Sequence, residues 1–352
     1  MRRQIVTDTD FIAARLHGRR SLLAERERLD SLYRIRNLFD FFKSAYPETE
    51  FHDIIEFQRY LVRGLADELS SVSTSLGKQA ASLVEWITAR FEVQNIKLIL
   101  RAIKTKSSIE DLRKHLISFK GEFVSKVRVG PTQMSIVDLL RIIPKGPLRK
   151  SLESIYNLYS ESASTFIYET ALDCSYFREL SLRTSRLHAG ERQVVQPVID
   201  QQIDTFLLML ALRGKYHLQV SPHTLLQFHV EGSRISRARL STLISDPDAR
   251  TSVTRAIGWV IDQSSVRFLD DVPDDSIIPT AEHLAWKRFL RLSNKAFRES
   301  HMGLGAIVGY AGVRIIEIAN LISISEAIRL NLPVESIRKL LITPDTMEAG
   351  RV

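Results

Sequence analysis

The feature that most constrains this chain is a helical stretch that returns 225 positions later with its polar residues in place. Phe91-Glu92-Val93-Gln94-Asn95-Ile96-Lys97-Leu98-Ile99-Leu100-Arg101-Ala102-Ile103 is matched by the run from Ile316 to Ile328. Glu92 falls on Glu317, Asn95 on Asn320, Ile99 on Ile324 and Ala102 on Ala327. The match continues without a gap through Glu110 on Glu335, Arg113 on Arg338, Lys114 on Lys339, Leu116 on Leu341 and Ile117 on Ile342. Two unrelated buried helices would agree at apolar positions only. Agreement of acid, amide and base as well marks a duplicated unit.

A third, weaker copy lies between them, from Asp204 to Arg213. Asp204 takes the place of Glu92, Arg213 that of Arg101, and Leu207 replaces the asparagine. The spacings are 112 and 113, and Ser221-Pro222 parallels Leu332-Pro333 to within one residue. The chain therefore divides into three related helical units at 1–119, 120–232 and 233–352. Three equivalent units can close around a pseudo-threefold axis, which is an expectation from repeat number alone.

At roughly 100–200 residues per domain, 352 residues suffice for two or three cores. Few glycines and prolines and no sustained strand alternation predict an all-α fold. Helices are expected over 8–43 (one or two), 51–68, 74–104, from Ser107 to before Gly121, then 147–160, 164–187, 191–213, 281–300 and 304–330. Ser221-Pro222 reads as an N-cap and N1 pair. Val127 to Pro131 reads as a looser segment, and the residues after Thr343-Pro344 as a frayed tail. The lone cysteine, Cys174, can form no internal disulfide, so a reducing cytoplasm is expected. The N-terminus leads into no apolar signal segment, and the longest purely apolar run, Phe206 to Leu212, is too short to span a bilayer.

On the repeated helix, Val93, Ile96, Ile99, Leu100 and Ile103 share one face, with Gln94, Lys97, Arg101 and Lys104 opposite. Glu92, Asp204 and Glu317 project into the apolar face of their copies. A carboxylate there is costly unless paired or hydrogen-bonded. Each acid is therefore expected to be held by a cation or a backbone donor within its own unit, with Arg15 one candidate. Convergence of the three into a metal or catalytic cluster is disfavoured, since no His or Cys stands at ligand spacing. Asn95 and Asn320, at the edge of the stripe, are expected to tie helices together.

No catalytic constellation is legible, so no enzyme, cofactor or metal is expected. There is no P-loop motif. Gly303-Leu304-Gly305-Ala306-Ile307-Val308-Gly309 lacks dinucleotide-loop spacing and suits close helix packing instead. His217, His223 and His229 do not share a helical face, and Cys174 has no activating base. The net charge of +8 comes from bases interleaved with acids. The clusters Arg19-Arg20, Lys145 to Lys150 and Arg234 to Arg239 lack interleaved aromatics, so nucleic acid is not an expected partner. An all-helical scaffold or a nucleic-acid adaptor remains the alternative.

The three repeats, the first and last carrying E-x-x-N-[LI]-x-x-I, with Leu332-Pro333-Val334-Glu335 and Arg338 after the last, resemble the C-type connector component of V/A-type rotary ATPases, the counterpart of the d component of the eukaryotic vacuolar enzyme. Phe11 to Leu23 is similar to the family's N-terminal Y-x-x-A-R-x-R-x-x-x-S-x-L. Tyr168 to Phe177 is similar to I-E-x-x-L-D-x-x-Y-F, and Gly309-Tyr310 precedes the last copy as in the family. The sequence departs from the pattern at Leu207, at Glu326, where an Arg is expected, and over 120–165. The resemblance implies a non-catalytic adaptor, one per complex, built as a funnel of three helical bundles around a pseudo-threefold axis. Its implied partners are the central shaft subunits and the membrane proteolipid ring. It would sit peripherally on the cytoplasmic face and pass torque between ATP hydrolysis or synthesis and ion flow. A positive surface suits anionic lipid headgroups.

Overall fold

Seventeen α-helices follow one another in the computed structural model, which describes residues 9–118, 123–130, 133–160, 163–300 and 303–344. They are α1 (Thr9–Arg20), α2 (Arg26–Leu32), α3 (Leu38–Ala45), α4 (Ile54–Ser73), α5 (Lys78–Thr105), α6 (Ile109–Arg113), α7 (Phe123–Val129), α8 (Ile136–Ile142), α9 (Pro147–Tyr159), α10 (Thr165–Ser185), α11 (Ala189–Leu212), α12 (Pro222–Gln227), α13 (Arg237–Ser245), α14 (Ala249–Ala256), α15 (Ile277–Glu299), α16 (Leu304–Arg329) and α17 (Val334–Leu340). Among the described residues there is no strand, only a single bridge between Ile257 and Ile261. The fold is all-α.

Local chemistry sets many of the boundaries. The side chains of Asn37, Asp53, Ser164, Ser236 and Asp248 accept first-turn N–H groups of α3, α4, α10, α13 and α14. Ser135 and Asp138 form a reciprocal capping box at α8. Ser221 caps α12 with Pro222 at its first position, as the sequence predicts.

The N-terminal pattern resolves into three helices rather than one or two. Its breaks fall where Leu23 and Ala24 turn inward and where Asn37 caps anew. Val127 to Val129, expected to be loose, are helical. Phe123, Val124 and Val127 are all buried, and burial of one helical face outweighs the mild reluctance of β-branched residues. The helix expected from Ser107 contracts to α6, capped by Ser108. The expected tail after Pro344 lies outside the described residues.

The chain forms two compact units, and neither is continuous in sequence. The first comprises residues 1–81, 187–201 and 279–352; the second comprises 82–186 and 202–278. In the first unit α16 is the core, with α1, α3, α4 and α17 packed on it. It is long and apolar enough to cross a membrane, but most of that window, 78%, is buried inside the protein. An aromatic group from Phe41, Phe42, Phe51 and Phe57 fills the space between α3 and α4.

Small residues on α16 permit a close approach to α15. A Cβ on Gly309 would lie 2.5 Å from the Phe297 nitrogen and 2.6 Å from the Ser293 carbonyl. Both are backbone atoms and cannot rotate away. Gly309→Ala is therefore expected to cost about 1–3 kcal/mol through overpacking, read as a lowered denaturation midpoint with an unchanged helical spectrum.

In the second unit α10 lies antiparallel to α5 and is tied to it along its length. The Arg183 guanidinium donates to the Ser82 carbonyl at 3.0 Å, and the Trp86 indole to the Tyr176 carbonyl at 2.9 Å. Further along, Lys97 pairs with Asp173 at 2.5 Å. Arg101 grips Glu169 with two bonds of 2.5 and 2.8 Å. Spacings of four residues on both helices bring two cations opposite two acids. α9 packs against α10, and α12, α13 and α14 follow one another in contact.

Candidate functional site: the three copies of the repeated helix

The repeated helix is α5, α11 and α16. Each copy ends the same way. Lys106, Gln219 and Asn331 adopt φ values of 55°, 52° and 54°, the left-handed C-cap that stops a helix. After two of them the next N–H returns to a carbonyl five residues back, Ser107 to Ala102 and Leu332 to Ala327, both at 2.9 Å.

The middle copy carries one extra residue. Lys106 lies fourteen residues after Glu92, and Asn331 fourteen after Glu317, but Gln219 lies fifteen after Asp204. The π-helical turn Arg213–His217 absorbs it. This accounts for spacings that alternate between 112 and 113. Gly214 sits at that turn, where a Cβ would clash with the Leu225 side chain.

The asparagines do the same work in the two copies that have them. Asn95 donates to the Ile117 carbonyl at 2.7 Å and accepts from the Ile117 N–H at 3.0 Å. Asn320 makes the same pair with Ile342, at 2.9 and 2.8 Å. Both amides are buried. In the middle copy Leu207 is fully buried and offers no hydrogen bond. There the Arg178 guanidinium of α10 donates to the carbonyls of Gln227 and His229, at 3.0 and 2.9 Å. With the extra residue of the middle copy counted, the position equivalent to Ile117 and Ile342 is Val230, next to His229. A long cation from a neighbouring helix thus holds the chain just before that position.

The acids are held unequally. Glu317 is buried, accepts the Ala24 N–H at 2.6 Å and pairs with Arg314. Arg314 also donates to the Tyr46 hydroxyl at 3.1 Å. Burial opposes the charge on Arg314, but Glu317 and Tyr46 outweigh it and hold the guanidinium protonated above its ordinary range. Asp204 is fully buried, accepts the Ile235 N–H at 3.1 Å and pairs with Arg234 at 2.9 Å. Burial nonetheless raises its carboxyl. Glu92 has no hydrogen-bond or ion-pair partner among the described residues, and burial alone raises its carboxyl. Arg15, a candidate donor in the sequence, reaches Ser71 instead. Arg213 is exposed and opens the π turn.

Glu92 yields a pH prediction. A carboxyl whose folded pKa exceeds its unfolded value binds more protons when folded, so its contribution to stability falls as pH rises through the raised pKa. Glu92→Gln is expected to raise the melting temperature at pH 8. The gain should shrink toward zero below pH ~4, where glutamate is neutral in both states. Thermal denaturation across that range checks it. A destabilised variant at pH 8 would contradict it.

The arrangement binds helices together. Among the described residues no group of three His, Cys, Asp or Glu side chains could hold a metal ion. Burial pushes the Cys174 thiol up to about 11, and it donates to the Phe228 carbonyl at 3.3 Å. Gly303 to Gly309 opens a helix packed within its unit. Sequence reasoning missed Arg178, Arg314 and the backbone donors Ala24 and Ile235. One signal was available: Arg26-Glu27-Arg28-Leu29 and Leu32 match Arg237-Ala238-Arg239-Leu240 and Leu243.

Residues 12–340 match the family model described as ATP synthase (C/AC39) subunit. The C component of the A-type ATP synthase of Methanobrevibacter smithii is 23% identical over 340 residues, covering 94% of this chain and 87% of that protein. The protein of the same name from Methanosphaera stadtmanae is 22% identical over 332 residues, covering 91% and 82%. That from Methanocaldococcus jannaschii is 21% identical over 294 residues, covering 84% and 73%.

Proposed function

The chain belongs to the ATP synthase (C/AC39) subunit family, and from that membership we propose that it is the non-catalytic connector between the rotating shaft and the membrane proteolipid ring. It is a component of a membrane-associated rotary ATPase. In the proposed role one copy sits peripherally on the cytoplasmic face, grips the shaft and rests on the ring. Torque then passes through it between ATP turnover and ion movement.

The observation that carries this reading is the family match over nearly the whole chain. The physics of the repeated helix supports it. A torque link needs stiffness, and each copy has polar residues in internal ties: Asn95 and Asn320 on backbone, Arg101 on Glu169, Asp204 on Ile235 and Glu317 on Ala24. Three copies with the same left-handed stop support the three-unit organisation at 1–119, 120–232 and 233–352, and with it the funnel about a pseudo-threefold axis.

The test is affinity capture of the tagged chain from detergent-solubilised membranes. The expected result is recovery of shaft and ring proteins at one copy of this chain per complex. Recovery of nucleic acid, or of neither set of proteins, would sink the reading.

A further inference from the structure

We propose that the Leu23-Ala24-Glu25 segment is a latch that closes the third repeat, so that α16 is tied through a hydrogen bond to a segment 293 residues earlier in the chain. The middle repeat shows what such a closure looks like. The acid Asp204 takes the N–H of Ile235, 31 residues further on, at the start of the following repeat. The acid Glu317 belongs to the third copy of the repeated helix. It takes the N–H of Ala24, 293 residues earlier in the chain.

The two donors sit in matching surroundings. Ala24 and Ile235 are both buried, and each precedes by two residues the first residue of a short helix, α2 or α13. Those helices share the pattern Arg-x-Arg-Leu-x-x-Leu, with both leucines of each buried. Arg28 and Arg239, the second arginine of each, turn back to a carbonyl near the donor, that of Leu22 two residues before Ala24 or of Arg234 one residue before Ile235. The same device therefore appears twice, once across 31 residues and once across 293. Residues 1–81 and 279–352 accordingly belong to one compact unit. The inference rests on this geometry and not on the connector reading.

The consequence is that the N-terminal segment is structural for a helix whose acid lies 293 residues away. Hydrogen exchange on the full chain tests it. Proline at position 24 removes one N–H and no side-chain contact beyond a methyl group. Ala24→Pro is expected to speed amide exchange at least about tenfold in residues 304–329, a local loss of about 1.4 kcal/mol, leaving 235–245 unchanged. Ile235→Pro should show the converse. Fast exchange in Ala24→Pro confined to residues 9–32, or spread equally over both units, overturns the proposal. If Ala24→Pro does not fold, a second measurement decides. A protease site placed in the exposed turn at Ser75 of the otherwise native chain is cleaved after folding. Fragment 1–75 should stay bound through native gel filtration and separate only in denaturant. A fragment that elutes alone overturns the latch.

Discussion

Glu317→Ala is expected to destabilise the unit built on α16 by about 3–5 kcal/mol, the range for breaking one side of a buried ion pair. The side chains of Arg314 and Glu317 are 7% and 4% exposed, so neither charge has water to fall back on. Removing the carboxylate strands the guanidinium with the Tyr46 hydroxyl, and its Nε already has no partner. It also deprives the buried Ala24 N–H of its acceptor. Against a typical net stability of about 5–15 kcal/mol, that is a large fraction. Urea denaturation monitored by circular dichroism reads the loss. The double variant Arg314→Met with Glu317→Leu is expected to recover much of it, because an apolar pair carries no desolvation cost. A single variant as stable as the native chain would show that the pair does not hold the unit.

Asn320→Leu is the second large effect, expected at about 2–4 kcal/mol from two backbone groups losing their partners. Leucine suits the apolar stripe, as Leu207 demonstrates at the equivalent place in the middle copy. What the variant lacks is the amide pairing to Ile342. Asn95→Leu should cost a similar amount through Ile117. Arg178→Leu should do the corresponding damage in the middle copy, where the guanidinium serves the carbonyls of Gln227 and His229. Placing asparagine at position 207 in the Arg178→Leu chain is expected to restore part of the loss. Denaturation midpoints of the four variants measure this. Equal stability of native and Asn320→Leu chains would mean the amide is dispensable.

The physical reason each feature was or was not legible lies in how local it is. The helix class, the Ser221-Pro222 start and the recurrence of Glu92 and Asn95 at Glu317 and Asn320 are written in spacing within one element. The need to satisfy a buried acid was also legible from Glu317 in its apolar stripe, but the identity of the donor was not. Ala24 and Ile235 donate through backbone N–H, which carries no residue signature. Arg178 looks like any solvated helical arginine until its partners at 227 and 229 are placed beside it. The π turn at Arg213–His217 left one trace, the unequal spacing of the copies. Val127 to Val129 misled because β-branched residues beside Gly130 suggest a break, whereas burial of Phe123, Val124 and Val127 holds the helix.

The polar residues of the repeated helix act on how helices are held together. Glu92 and Glu317, whose recurrence defines the chain, act on stability and in opposite senses: one is penalised by burial, the other is fully paired. The proposed connector role is tested most directly by comparing ATP hydrolysis with ATP-driven ion transport in membranes with and without this chain. Its removal is predicted to abolish transport while hydrolysis by the rest of the complex continues, and adding the chain back should restore coupling. Transport that persists without it, or hydrolysis that disappears with it, would contradict the account.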